Sequence, residues 1–178
     1  MRLRALGDLT PPELRAIRDL LDCAFTGRFS DDDFAHALAD GQHVLVYDDA
    51  DILIAHGCAV PRTLYVDEHP VDSGYVEAVA VDTPYRGRGL GHLVMDRVEQ
   101  ILDAGYVLGA LSASAEGRHL YASRGWRSWQ GPLGVATPHG WTATPDENGA
   151  VFVRQRPGEP PLSLDGTLTC RERSGDDW

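Results

Sequence analysis

Six consecutive residues, Arg86-Gly87-Arg88-Gly89-Leu90-Gly91, carry the strongest chemical signal in this chain of 178 residues. Two arginines offer charge-assisted donors, and the glycines allow the backbone to turn tightly against a ligand. The run lies between an expected strand at residues 75–81 and an expected helix marked by Leu90, Leu93, Val94, Val98, Ile101 and Leu102. A loop that opens a helix presents uncapped N–H groups and the positive end of the helix dipole, which is chemistry for phosphate oxygens. The P-loop pattern is absent, because no Lys-Ser/Thr pair follows the last glycine, and Gly87, Gly89 and Gly91 miss the spacing of a dinucleotide site. An arginine and glycine turn that merely caps a helix fits the bare six residues equally well.

The elements that must hold this loop can be read from their start and stop signals. Leu3 to Leu6 reads as a short strand. Thr10-Pro11-Pro12-Glu13 combines an N-cap, first-turn prolines and a capping-box glutamate, and Leu14, Ile17, Leu20, Leu21 and Ala24 continue at helical spacing. Ser30 and Asp33 repeat the capping pattern and open a second short helix that stops near Gly41. Residues 44–47 and 52–60 then read as two antiparallel strands around the turn 48–51, with Pro61 ending the second. A further hairpin runs through residues 63–66, a polar turn at 67–70 and the strand 75–81. After the loop come a helix ending at Gly105, a strand at 106–111, a helix at 116–124 stopped by Gly125, and a late strand at 151–153. Residues 157–161 read as a surface connection to a short tail. The expectation is one α/β domain spanning residues 1–178, with a mixed and mostly antiparallel central sheet flanked by helices.

The formal net charge of −11 has the wrong sign for a broad nucleic-acid surface and suits a cationic small substrate. Cys23, Cys58 and Cys170 are odd in number and far apart, which suggests neither a disulfide framework nor a C-x-x-C metal site. No apolar run has membrane length and the N-terminus lacks a signal-peptide core, so the expectation is a cytoplasmic protein with no membrane partner and no metal.

The pattern Arg86-x-x-Gly89-x-Gly91 after a strand resembles the pyrophosphate loop of the GNAT acetyltransferases, where the loop binds acetyl-coenzyme A. Leu120-Tyr121-Ala122-Ser123-Arg124-Gly125-Trp126 is similar to the second landmark of that superfamily. Three further blocks look like bacterial aminoglycoside 2'-N-acetyltransferases: Gly74-Tyr75-Val76-Glu77-Ala78-Val79-Ala80-Val81, Leu108-Gly109-Ala110-Leu111-Ser112-Ala113-Ser114, and the terminal Gly175-Asp176-Asp177-Trp178. The similarity spans nearly the whole chain.

The resemblance implies direct acetyl transfer from acetyl-coenzyme A to an amine in a ternary complex, without an acyl-cysteine. Glu77 then matches the acceptor of the amine proton, and the Val79 N–H matches the donor to the acetyl oxygen. Tyr121 matches the proton donor to the departing thiolate, a role that suits its pKa of about 10. Val79, Val81, Arg86, Gly87, Arg88, Gly89, Leu90 and Gly91 become the cofactor set. Asp33, Glu77, Ser112, Glu147, Asp176 and the terminal carboxylate of Trp178 become partners for the amino and hydroxyl groups of an aminoglycoside. Plainer readings stand beside these: Tyr121 as a packed core ring, Glu77 as an outward strand residue, Asp33 as a helix cap and the acidic tail as solvated chain.

The sequence departs from the family at Arg28, where an aspartate is usual, and at Phe34, where tryptophan is usual. Arg28 either pairs with Asp31 or Asp32 or narrows the range of polycations. Other readings are an acetyltransferase for a different polyamine or amino sugar, and a non-catalytic module that binds acyl-coenzyme A or a cationic drug. A homodimer is expected by analogy.

Overall fold

The computed structural model describes residues 1–178. Its strands and helices follow in the order β1 (Arg2–Ala5), α1 (Pro11–Ala24), α2 (Asp31–Leu38), β2 (Gln42–Tyr47), β3 (Leu53–Val66), β4 (His69–Val81), α3 (Leu90–Gly105), β5 (Leu108–Ser112), α4 (Arg118–Ser123), β6 (Arg127–Ser128), β7 (Leu133–Thr137), β8 (Gly140–Ala143), β9 (Val151–Gln155) and β10 (Leu168–Arg171). Strand pairing is mixed and mostly antiparallel; the parallel pairs are β4 with β5 and β7 with β10. This is the expected α/β class.

The chain forms two compact units, one of Met1–Pro61 with Val76–Ile101 and the other of Arg62–Tyr75 with Leu102–Trp178. β3 and β4 each contribute residues to both.

In the first unit, β2 runs antiparallel to β1 and to β3. Both predicted capping boxes form: the Thr10 side chain accepts from the Glu13 N–H while Glu13 reaches back to the Thr10 N–H, and Ser30 and Asp33 do the same for α2. α1 buries Ile17, Leu20 and Leu21, the stripe set by their spacing. Gly57 on β3 admits α3 to close range, because a Cβ there would lie 2.6 Å from Val94 Cγ1 and 3.2 Å from Val79 Cγ2.

In the second unit, β5 pairs with β9, β9 with β6, and β7 with both β8 and β10. β4 runs parallel to β5 through Ser73, Gly74 and Tyr75.

Several boundaries differ from the sequence reading. Pro61 does not end the third strand, which continues to Val66. The pairing of β2 stops at Ala59 and that of β10 starts at Tyr65, so of the strands beside β3 neither β2 nor β10 calls on the N–H that proline lacks. β4 begins at His69, earlier than expected, because Asp67 and Glu68 alone make the turn, with φ of 46° and 69°. Two positive-φ residues match the twist of a tight hairpin. β5 begins at Leu108 instead of Tyr106, and the last helix covers only Arg118–Ser123. β7, β8 and β10 were not expected at all. β7 and β8 are glycine-containing and short, and β10 is a strand through a parallel pairing to residues 35 positions away, which local patterning does not carry.

Candidate functional site

The first unit carries the glycine loop. β4 ends at Val81 and a short 3-10 turn, Thr83–Tyr85, leads to Arg86. Arg86 is held against backbone, donating from Nε to the Val81 carbonyl at 3.1 Å and from Nη2 to that of Ala24 at 3.3 Å. The Arg88 guanidinium lies 5.2 Å from the centre of the Tyr85 ring, whose hydroxyl donates to Asp48 Oδ2 at 2.7 Å. Gly87 and Gly89 have φ of 75° and 80°, with open space where a Cβ would stand. Glycine is needed there for backbone conformation and leaves the loop uncovered. The first helical bond of α3 runs from the Leu93 N–H to the Gly89 carbonyl at 3.0 Å. The preceding amides, those of Leu90 and Gly91 among them, have no acceptor within the helix and open onto an exposed loop. Two arginines, two positive-φ glycines and a helix N-terminus fit a diphosphate.

The predicted catalytic strand residues lie just before this loop. Glu77, Val79 and Val81 are half-buried on β4. Between the first two stands Ala78 with φ of 54°, a left-handed conformation inside a strand. Asp33, in the same unit, is the N3 residue of α2, and its Oδ2 accepts from the Ser30 N–H at 2.9 Å. Its capping role is therefore real, and the other carboxylate oxygen remains at the exposed start of the helix. Asp31 is paired with Arg18 at 2.7 Å and Arg28 stays exposed.

The second unit gathers four of the predicted substrate residues. Ser112, at the end of β5, donates from Oγ to Glu147 Oε2 at 3.2 Å. Burial raises the Glu147 pKa above the ordinary value, with a further rise from the charge of Asp176, opposed by the Ser112 hydrogen bond. Asp176 Oδ1 accepts from the Trp178 N–H at 3.1 Å. The terminal residue is buried, and its indole N–H donates to Thr144 Oγ1 at 2.9 Å. Arg62 donates to the Asp177 carbonyl, and Arg173 donates to the carbonyls of Asp176 and Trp178. Arg62 and Arg173 also lie 4.6 and 5.8 Å from the centre of the Tyr75 ring. The tail is thus built into the unit. Sequence reasoning missed Arg62, which only the fold brings to residue 177, and Arg173, whose contacts lie three and five positions along the tail. A cleft of about 550 Å³ in this unit, lined by Trp129, Gln130, Pro132, Pro145 and Asn148, contains none of the predicted site residues.

Tyr121, on α4, is 8% exposed and packs its ring 6.1 Å from Trp126 and 6.5 Å from Phe152. Burial pushes its pKa up to about 12, so the hydroxyl stays protonated at neutral pH. Two of the three cysteines are buried. Burial raises Cys58 well above the ordinary thiol and pushes Cys170 up to about 11. Neither is poised as a thiolate.

A family model described as "Acetyltransferase (GNAT) domain" matches residues 6–128, a stretch that includes the glycine loop and Tyr121. The chain belongs to the GNAT acetyltransferase family. This GNAT chain is 44% identical over 179 residues to a protein named aminoglycoside 2'-N-acetyltransferase from Mycolicibacterium fortuitum, a match covering 99% of this chain and 91% of that one. Among solved structures, a GNAT family N-acetyltransferase from Escherichia coli in complex with CoA superposes with a TM-score of 0.63 at 20% identity, covering 98% of this chain and 93% of that one. An aminoglycoside 6'-N-acetyltransferase complexed with coenzyme A gives 0.65 at 13% identity, over 90% of this chain and all of that one. These likenesses establish a GNAT fold. No helix of the chain is long and apolar enough to cross a membrane.

Proposed function

We propose that this GNAT acetyltransferase moves the acetyl group of acetyl-coenzyme A to the 2'-amino group of aminoglycoside antibiotics and confers resistance to them. The 44% identity across 99% of the chain to an aminoglycoside 2'-N-acetyltransferase carries the reading. The collection of Ser112, Glu147, Asp176 and Trp178 in one unit supports it, since a polyamine needs several acceptors and carboxylates.

In this reading the whole chain acts as one catalytic domain. The diphosphate rests on the amides opening α3, between Arg86 and Arg88, and the acyl arm follows the backbone of Val79 and Val81. Glu77 takes a proton from the substrate ammonium through water, which frees the nitrogen lone pair. The amine attacks the thioester carbon, and the Val79 N–H donates to the oxygen as it gains charge. The carbon–sulfur bond then breaks, Tyr121 gives its proton to the leaving thiolate, and the second proton of the new amide nitrogen restores the tyrosine. Burial, which pushes Tyr121 up to about 12, keeps it protonated but makes it a weaker acid than a free tyrosine. Direct transfer agrees with the burial of Cys58 and Cys170, which keeps those two thiols protonated. Asp33, Glu147, Asp176 and the terminal carboxylate hold the other amino groups. We place the enzyme in the cytoplasm, acting as a homodimer.

Mass spectrometry after incubation with acetyl-coenzyme A tests the assignment. Tobramycin and gentamicin, which carry a 2'-amine, are expected to gain one acetyl group. Kanamycin A, with a 2'-hydroxyl, is expected to resist. Equal product from kanamycin A would place the reaction at another amine, and no product from any of the three would remove aminoglycosides from the substrate class.

A further inference from the structure

Beside β4 lies a buried polar cluster that the proposed chemistry does not use. The β2–β3 register sets His43 opposite Cys58 and Leu45 opposite His56. Strand alternation therefore puts His43, His56 and Cys58 on one face. All three are completely buried, and their nitrogen and sulfur atoms lie within 4.8 Å of one another. His56 Nδ1 is 2.9 Å from the Ala78 carbonyl oxygen, and His43 Nδ1 is 3.1 Å from His56 Nε2.

The partners determine the tautomers. A carbonyl oxygen only accepts, so His56 carries its proton on Nδ1 and offers a lone pair on Nε2, and His43 donates to that lone pair. His43 Nε2 is then a bare acceptor nitrogen, buried without a hydrogen-bond partner. Burial keeps both rings neutral, lowering His43 to about 4 and His56 to about 3. Next to this chain, the Cys58 thiol lies between two carbonyl acceptors, that of Glu77 at 3.3 Å and that of Ala37 at 3.4 Å.

From β3, His56 thus holds the Ala78 carbonyl of β4, and Cys58 lies against the preceding carbonyl, that of Glu77. Ala78 is the residue with φ of 54°, a conformation that a residue with a Cβ keeps only where its surroundings enforce it. Its neighbours on either side are the proposed base, Glu77, and the proposed donor, the Val79 N–H. We infer that His56, its tautomer fixed by His43, is a positioning residue that locks the Ala78 kink and so aims the Glu77 carboxylate and the Val79 N–H. This rests on the roles given to those two groups above. A metal ion on the same three ligands would have to displace the proton shared by the histidines and ionise Cys58, which burial opposes.

The test compares His56→Leu, which removes the donor, with His56→Asn, whose side-chain amide can still reach the carbonyl. With tobramycin, His56→Leu is expected to lose about tenfold or more in kcat while the Kd for coenzyme A stays within about threefold. Its crystal structure should show Ala78 outside the positive-φ region, and His56→Asn should recover most of kcat. A folded His56→Leu enzyme that keeps either the kink or the wild-type kcat overturns the inference. Should that variant not fold, ¹⁵N NMR of the wild-type histidines decides. The Nδ1–H form of His56 supports the clamp, and the Nε2–H form, or one zinc ion per chain by metal analysis, overturns it. The Ala78 torsion and the tautomers are read without turnover, so their outcome is separate from that of Glu77→Gln, which tests the base itself.

Discussion

Glu147 shows at the scale of one residue how a proposed substrate site can cost stability. Its folded pKa is raised, by burial first and by Asp176 second, so folding favours the neutral carboxyl relative to the unfolded chain. The sign follows: above its folded pKa the charged group destabilises the fold, and that cost fades as pH falls toward the ordinary carboxylate range. Glu147→Gln is therefore expected to raise Tm at pH 7.5, with a difference from wild type that shrinks toward pH 4.5 in thermal melts. The amide oxygen still accepts from Ser112, so the hydrogen bond survives. The same change removes a charge from the proposed aminoglycoside site and should raise KM for tobramycin about tenfold with little change in kcat. An unaltered KM would take Glu147 out of the substrate set. Glu147 was legible in the sequence only through the family resemblance, because nothing near it says that Ser112 and Asp176 will come close.

At the scale of elements, the opening of α3 and the β3–β4 turn are governed by φ. Gly89 supplies the carbonyl for the first helical bond at φ of 80°. Gly89→Val forces a branched side chain into that region, and isothermal calorimetry should show coenzyme A binding weakened by about tenfold or more. The turn is the opposite case. Glu68 holds φ of 69° without glycine's freedom. Asp67 cannot be exchanged as readily, since its Oδ1 accepts from the Thr167 N–H at 2.8 Å. Glu68→Gly should therefore stabilise by about 1 kcal/mol, the cost of a left-handed residue with a Cβ, and raise Tm by about 2–4 °C. Calorimetry that shows a lower Tm would mean that the Glu68 side chain contributes contacts of its own. Both capping boxes and the glycine loop were readable because each is a pattern within a few residues. Pro61 misled because its effect depends on which neighbouring strands use that position.

At the scale of the whole molecule, the net charge of −11 should draw a polycation from solution before any specific contact forms. Raising the ionic strength from about 0.05 to 0.3 M shortens the screening length, so KM for tobramycin should rise several-fold while saturated turnover changes little. A flat KM in steady-state assays would confine the electrostatics to short-range pairs. Charge, the two helix starts, the glycine loop and the family were legible in the residues alone, since these rest on composition or on residues a few positions apart. Folding is what brings His43 to His56 behind Ala78, Ser112 to Glu147, and Arg62 to the C-terminal tail. Those meetings depend on strand register and on partners up to 115 positions apart, and local residue patterns do not encode contacts made across such distances.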